Sequence, residues 1–174
     1  MTTKKLMAVL FGVLVILVWI LGAAIQAGAE TINYKFYVWA NKAERAQLDD
    51  VDGHDVTLVQ RGGFYVFENG EITTIRRVSL NDLIKGAGPY TLYETMTFSD
   101  GSTMMLKGQG MLSGSAVGQH TSGEAAAEII KGTGRFEGAK GTQRYKMKFL
   151  PADKGEAGPK QYGEGTITYT LPAK

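Results

Sequence analysis

The chain has 174 residues, 44% of them apolar, and no cysteine. That is one domain's worth of core, and it excludes a disulfide framework, a thiolate metal site and a cysteine nucleophile. Nineteen basic residues face 17 acidic ones, but Lys4 and Lys5 precede an apolar run and no acid occurs before Glu30, so residues 30–174 balance at 17 of each. This neutrality, with no basic stripe interleaved with aromatics, excludes the usual nucleic-acid-binding surface.

Residues 1–5 (MTTKK) are basic, residues 6–25 are uncharged throughout, and Ala27-Gly28-Ala29 supplies small residues just before Glu30. This is the layout of a secretory signal. The apolar run is also long enough to span a bilayer as a helix. Two readings stay open: a signal peptide cleaved after Ala29, or a retained anchor through residues 6–25, the chain's only membrane contact. Both divide the chain into residues 1–29 and a folded domain of residues 30–174. Both export that domain, periplasmic or secreted in the first case and anchored outside the cytoplasm in the second, with the lysines left on the cytoplasmic side.

From residue 30 onward the apolar period is close to two. Residues 31–40 (TINYKFYVWA) predict a strand, and the polar residues 41–53 a loop. Residues 55–67 (DVTLVQRGGFYVF) predict a strand broken by a bulge at Gly62-Gly63. Asn69-Gly70 is the strongest hairpin signal, because both positions tolerate positive φ, and residues 72–80 are its return strand. Residues 81–89 read as a connection. Residues 90–98 (YTLYETMTF) and 103–112 (TMMLKGQGML) form a second hairpin around Asp100-Gly101. Residues 113–123 read as a loop, while 124–131 (EAAAEIIK) suit helix by alanine content and strand by length. Residues 132–141 (GTGRFEGAKG) read as a tight corner whose single ring, Phe136, plugs a core. Residues 143–150 and 162–171 are two last strands around a solvent loop at 151–160. About eight short strands joined by turns give an all-β domain, a sandwich or a barrel, and the glycine density of the second half favours the barrel.

The stretch from Tyr93 to Gly141, with residues 93–98 (YETMTF), Asp100-Gly101-Ser102 and above all Gly132-Thr133-Gly134-Arg135-Phe136-Glu137-Gly138-Ala139-Lys140-Gly141, resembles the allene oxide cyclase and dirigent barrels. A weaker match extends back to Tyr34–Trp39. The resemblance implies a calycin-type, eight-stranded antiparallel β-barrel, a lumen that takes an apolar small molecule, cyclase or radical-coupling chemistry in some members, and a homo-oligomer, a trimer in the plant members. The cyclases of this group carry a Glu after a Tyr-Val-aromatic triplet on the first strand, and they use a Cys. Here Ala40 follows Tyr37-Val38-Trp39, and no Cys exists.

Glu94 is the candidate catalytic acid. It shares a strand face with Tyr90, Leu92, Met96 and Phe98, and if that face is interior, burial would raise its pKa as a general acid requires. The alternatives are an outward face, or a pairing with Arg76 or Arg77. Tyr65, Tyr93, Met96, Met105, Phe136 and Tyr145 are the candidate ligand-binding residues. His54 and His120 are the only histidines and read as surface residues, too few for a metal site. The acids at positions 49–55 lack the spacing of a calcium loop. Residues 132–138 lack the spacing and context of a nucleotide loop. No metal or cofactor is expected. Three functions follow: a binding module for a small apolar molecule, a cyclase or isomerase of a reactive apolar substrate, or a cell-envelope interaction protein with a solid barrel.

Overall fold

The computed structural model describes residues 28–114 and 120–173, and residues 29–172 form one compact unit. The apolar N-terminal helix expected over residues 6–25 lies outside the described residues. Eight strands follow one another: β1 (Glu30–Gln47), β2 (His54–Phe67), β3 (Ile72–Ile84), β4 (Gly88–Thr97), β5 (Thr103–Gly114), β6 (His120–Thr133), β7 (Lys140–Leu150) and β8 (Lys160–Thr170). Each pairs antiparallel with its neighbour in the chain, and β8 returns to β1 to close the barrel. Closure leaves no strand edge open to another chain.

The period of two read from the sequence is the alternation of interior and exterior. β3 shows it without a break: Thr73, Ile75, Arg77, Ser79, Asn81 and Leu83 are buried and every residue between them is exposed. Interior volume is balanced between large and absent side chains. Tyr34 lies so close to Gly165 across the β1–β8 ladder that a β-carbon there would sit 2.4 Å from the Tyr34 hydroxyl.

The two rims differ. One, here called the corner rim, carries the Asn69-Gly70 and Asp100-Gly101 turns and a 3₁₀ turn at Gly134–Phe136. Gly134 enters that turn at φ +62°, a conformation that favours glycine, and Phe136 is delivered into the core at 4% exposure, as residues 132–141 predicted. The other, the loop rim, carries residues 48–53, 85–87 and 151–159.

Four sequence expectations are corrected. Residues 42–47 are not loop: they extend β1 and pair with residues 55–60 of β2. Their exposure on both faces removes the apolar alternation that marks a strand. The bulge falls in β1, between Ala40 and Lys42, and β2 passes through Gly62-Gly63 unbroken. β3 runs on to Ile84, so the connection shrinks to a turn at residues 85–87. β5 and β6 reach Gly114 and His120, well into the expected loop. Residues 124–131, for which helix and strand were both open, are strand.

Candidate functional site in the barrel interior

Glu94 faces inward and is 2% exposed, and the ladder that places it also places its partner. β3 and β4 pair Arg77 directly with Glu94. Arg77 Nε donates to Glu94 Oε2 at 2.7 Å, and both side chains are buried. Arg76, on the other face, is exposed. Tyr65 on β2 donates to Glu94 Oε1 at 2.6 Å while accepting from Arg77 Nη2 at 2.8 Å. The far wall joins in: Gln143 Nε2 on β7 donates to Glu94 Oε1 at 3.4 Å, and Arg77 Nη1 donates to Gln161 Oε1 on β8 at 3.2 Å. The guanidinium rests on the Tyr145 ring, 4.8 Å from its centroid, and near the Phe36 ring at 5.8 Å. The middle of the barrel is therefore crossed from wall to wall by a charged, hydrogen-bonded brace.

Burial, the largest single influence, pulls Arg77 toward the neutral form, but the Glu94 carboxylate together with the Tyr145, Tyr65 and Tyr90 hydroxyls overcomes it and holds the guanidinium well above its ordinary pKa. Burial pushes the Tyr65, Tyr145 and Tyr90 hydroxyls up, against the opposing effect of Arg77. All three are neutral hydrogen-bonding groups at ordinary pH. Tyr90 and Tyr145 share a hydrogen bond at 3.1 Å. Tyr34, stacked on Tyr65 with centroids 4.5 Å apart, has a buried hydroxyl facing the Gln143 amide without a closed hydrogen bond; the hydroxyl and Gln143 Oε1 are both unsatisfied among the described residues.

From Tyr34 the rings continue to the corner rim. Phe67 lies 5.7 Å from Tyr34, Phe98 5.9 Å from Phe67, and Phe136 4.4 Å from Phe98. There the barrel opens into a cavity of about 330 Å³, walled by Phe67, Phe98, Met104, Phe136 and Ile167 and rimmed by Glu30, Glu71 and Arg135. Arg135 caps it, with its guanidinium 4.8 Å from the Phe98 centroid and 4.7 Å from that of Phe136, and it is ion-paired to Glu71 and Asp100. A larger concavity, about 1190 Å³, follows one row of the sheet through residues 33–35, 66–68, 89–91, 109–111, 124–126, 144–146 and 164–166, whose flanking members are mostly exposed; Tyr34, Tyr90 and Tyr145 border it, while Arg77, Glu94 and Phe136 do not.

The six residues expected to bind a ligand are thus separated. Phe136 lines the mouth. Tyr65, Met96 and Tyr145 are buried deeper, the two tyrosines in the brace. Tyr93 faces outward, half exposed, with Lys107 Nζ 5.7 Å from its ring. Met105, between the buried Met104 and Leu106, is half-buried. Of the pairing alternatives named for Glu94, Arg77 is the one formed; Gln143 and Gln161 were missed as interior polar groups, although strict alternation from Tyr145 puts Gln143 on the inner face. No group of three or more His, Asp or Glu side chains among the described residues is placed to hold a metal ion.

No protein-family model matches the chain, and no curated protein matches it either. Solved structures do. The pterocarpan synthase dirigent protein GePTS1 superposes with a TM-score of 0.50 at 14% identity, over 86% of this chain and 96% of that one. The pterocarpan synthase dirigent protein PsPTS1 gives 0.47 at 14%, over 83% and 97%. A protein of unknown function from the DUF3224 family of Shewanella oneidensis MR-1 gives 0.46 at 18%, over 84% and 100%. The likeness to the first of these is one of fold, and it gives this chain the dirigent-like barrel that the residues from Tyr93 to Gly141 resemble.

Proposed function

We propose that the protein is an exported barrel that binds a small apolar molecule at its corner rim. The observation that carries this is the mouth cavity: ligand pockets start at about 300 Å³ and pair an apolar wall with a few placed polar groups, and this one sets five buried apolar side chains against a rim of Arg135, Glu71 and Glu30. Export rests on the signal-like layout of residues 1–29. A binding role is favoured over a cyclase or isomerase because Glu94, the buried carboxylate in the middle of the barrel, is already engaged by Arg77, Tyr65 and Gln143, and the rings of Phe67 and Tyr34 lie between it and the mouth.

The test is a titration of the full-length chain, in an uncharged detergent, with the neutral fluorophore N-phenyl-1-naphthylamine. Ile32, half-buried at the mouth, is replaced by tryptophan to fill the cavity without disturbing the deeper core. Saturable binding that weakens about tenfold, roughly 1.4 kcal/mol, in Ile32→Trp supports the site. Equal affinity in both proteins removes it.

A further inference from the structure

Four charged side chains are buried in the described barrel: Asp55, Arg61, Arg77 and Glu94. Three have partners of opposite sign. Glu94 holds Arg77, and the more exposed Arg45 reaches Asp55 at 2.7 Å. Arg61 has none. It is 6% exposed, and its one hydrogen bond among the described residues runs from Nη1 to the Pro159 carbonyl at 2.8 Å. Residues 1–27 and 115–119 contain no Asp or Glu, so no side-chain carboxylate from those segments completes a pair.

The surroundings make this cation more costly. Arg61 is directly cross-strand from Arg77. Burial and that neighbouring charge pull its pKa down to about 10, with only the Tyr145 and Tyr90 hydroxyls opposing them. A desolvated charge without a counter-ion is normally removed or neutralised. The register shift in β1 falls opposite this residue, between Ala40 and Lys42 against Arg61 and Gln60, and bulges of this kind re-aim side chains at functional sites.

We propose that Arg61 is the binding group of an anion site in the loop-rim half of the barrel, and that its ligand is an organic monocarboxylate. The charge count fixes the valence: one uncompensated cation is neutralised by one negative charge, and a dianion would leave an excess in a low-dielectric interior. The fork fixes the shape. With Nη1 held by Pro159, Nε and Nη2 remain as two parallel donors on one edge, the arrangement that a carboxylate's two oxygens match. Ser79 and Asn81, both buried on the adjacent strand β3, add polar groups on the same wall. This site is separate from the corner-rim cavity, and either can fail without the other.

The experiment follows thermal unfolding of the full-length chain in uncharged detergent against sodium benzoate and sodium chloride at matched ionic strength, for the wild type, Arg61→Met and Arg61→Lys. Benzoate should raise the wild-type midpoint saturably, as a ligand of the native state does. The rise should be lost in Arg61→Met and need about tenfold more benzoate in Arg61→Lys, which keeps the charge and loses the fork. Without added anion, Arg61→Met should melt at or above the wild-type temperature, because a desolvated charge has gone. A variant that melts lower or fails to fold makes Arg61 a structural clamp for Pro159 and overturns the proposal. An equal benzoate response in wild type and Arg61→Met overturns the site, and an equal response to chloride overturns the carboxylate assignment.

Discussion

At the scale of single residues, the interior is governed by what becomes of a charge once water is gone. Glu94 is tolerated because Arg77 and three neutral donors and acceptors surround the pair. Removing one partner strands the other: Glu94→Gln keeps the shape, leaves Arg77 buried without its counter-ion, and should cost about 3–5 kcal/mol of stability. Chemical denaturation of wild type and variant measures this directly. A loss under about 1 kcal/mol would mean that the guanidinium finds other compensation and that the brace is dispensable. The sequence made Glu94 visible as an acid among apolar neighbours. It left open whether that acid is a reactive group or half of an ion pair, because the answer depends on Arg77, 17 positions away in the chain, arriving at the same rung.

At the scale of elements, hairpins written in local chemistry were legible and those built from polar residues were not. Asn69-Gly70 and Asp100-Gly101 both turn the chain as expected, although positive φ is taken by the glycine alone in each pair, Gly70 at +86° and Gly101 at +81°, and not by Asn69. The extension of β1 to Gln47 has no buried face, so no period announced it. Arg45 ties the extension to β2 through Asp55 at 2.7 Å, and beyond it His54 bridges Asp50 in the connecting turn and Asp82 on β3, each at 2.7 Å. Hydrogen bonds to Asp82, then to Asp50, raise the histidine pKa above 6.5, and the His54 hydrogen bond holds Asp50 below its ordinary 3.8. The folded state therefore keeps a proton on His54 that the unfolded chain gives up near pH 6.5, so this contribution is full below pH 6.5 and fades as pH climbs through the raised value. The Asp50 contribution runs the other way, present above 3.8 and lost as pH falls through the lowered one. The melting-temperature advantage of wild type over His54→Gln should thus be greatest in mildly acidic buffer and shrink toward pH 9. A difference that stays flat over that range would show that the bridge does not titrate.

At the scale of the whole molecule, strand count, the all-β class and the corner at residues 132–141 could be read from the chain, because period two and glycine spacing are local. The filling of the lumen could not. Whether eight strands enclose a hole or a core depends on which side chains meet across it, and Gln143 or Gln161 looks like any surface glutamine until the register is known. Closure itself carries a further consequence. Because Glu30 is paired with Tyr169, the described domain is topologically a ring cut at one ladder, and the place of the cut is arbitrary to its packing. A circular permutant in which a short glycine-serine linker joins residue 172 to residue 30, with new ends opened between Lys154 and Gly155 in the exposed turn before β8, should keep the wild-type circular-dichroism spectrum and unfold within a few degrees of it. If it does not fold, the order in which the strands emerge is itself part of how this barrel is made.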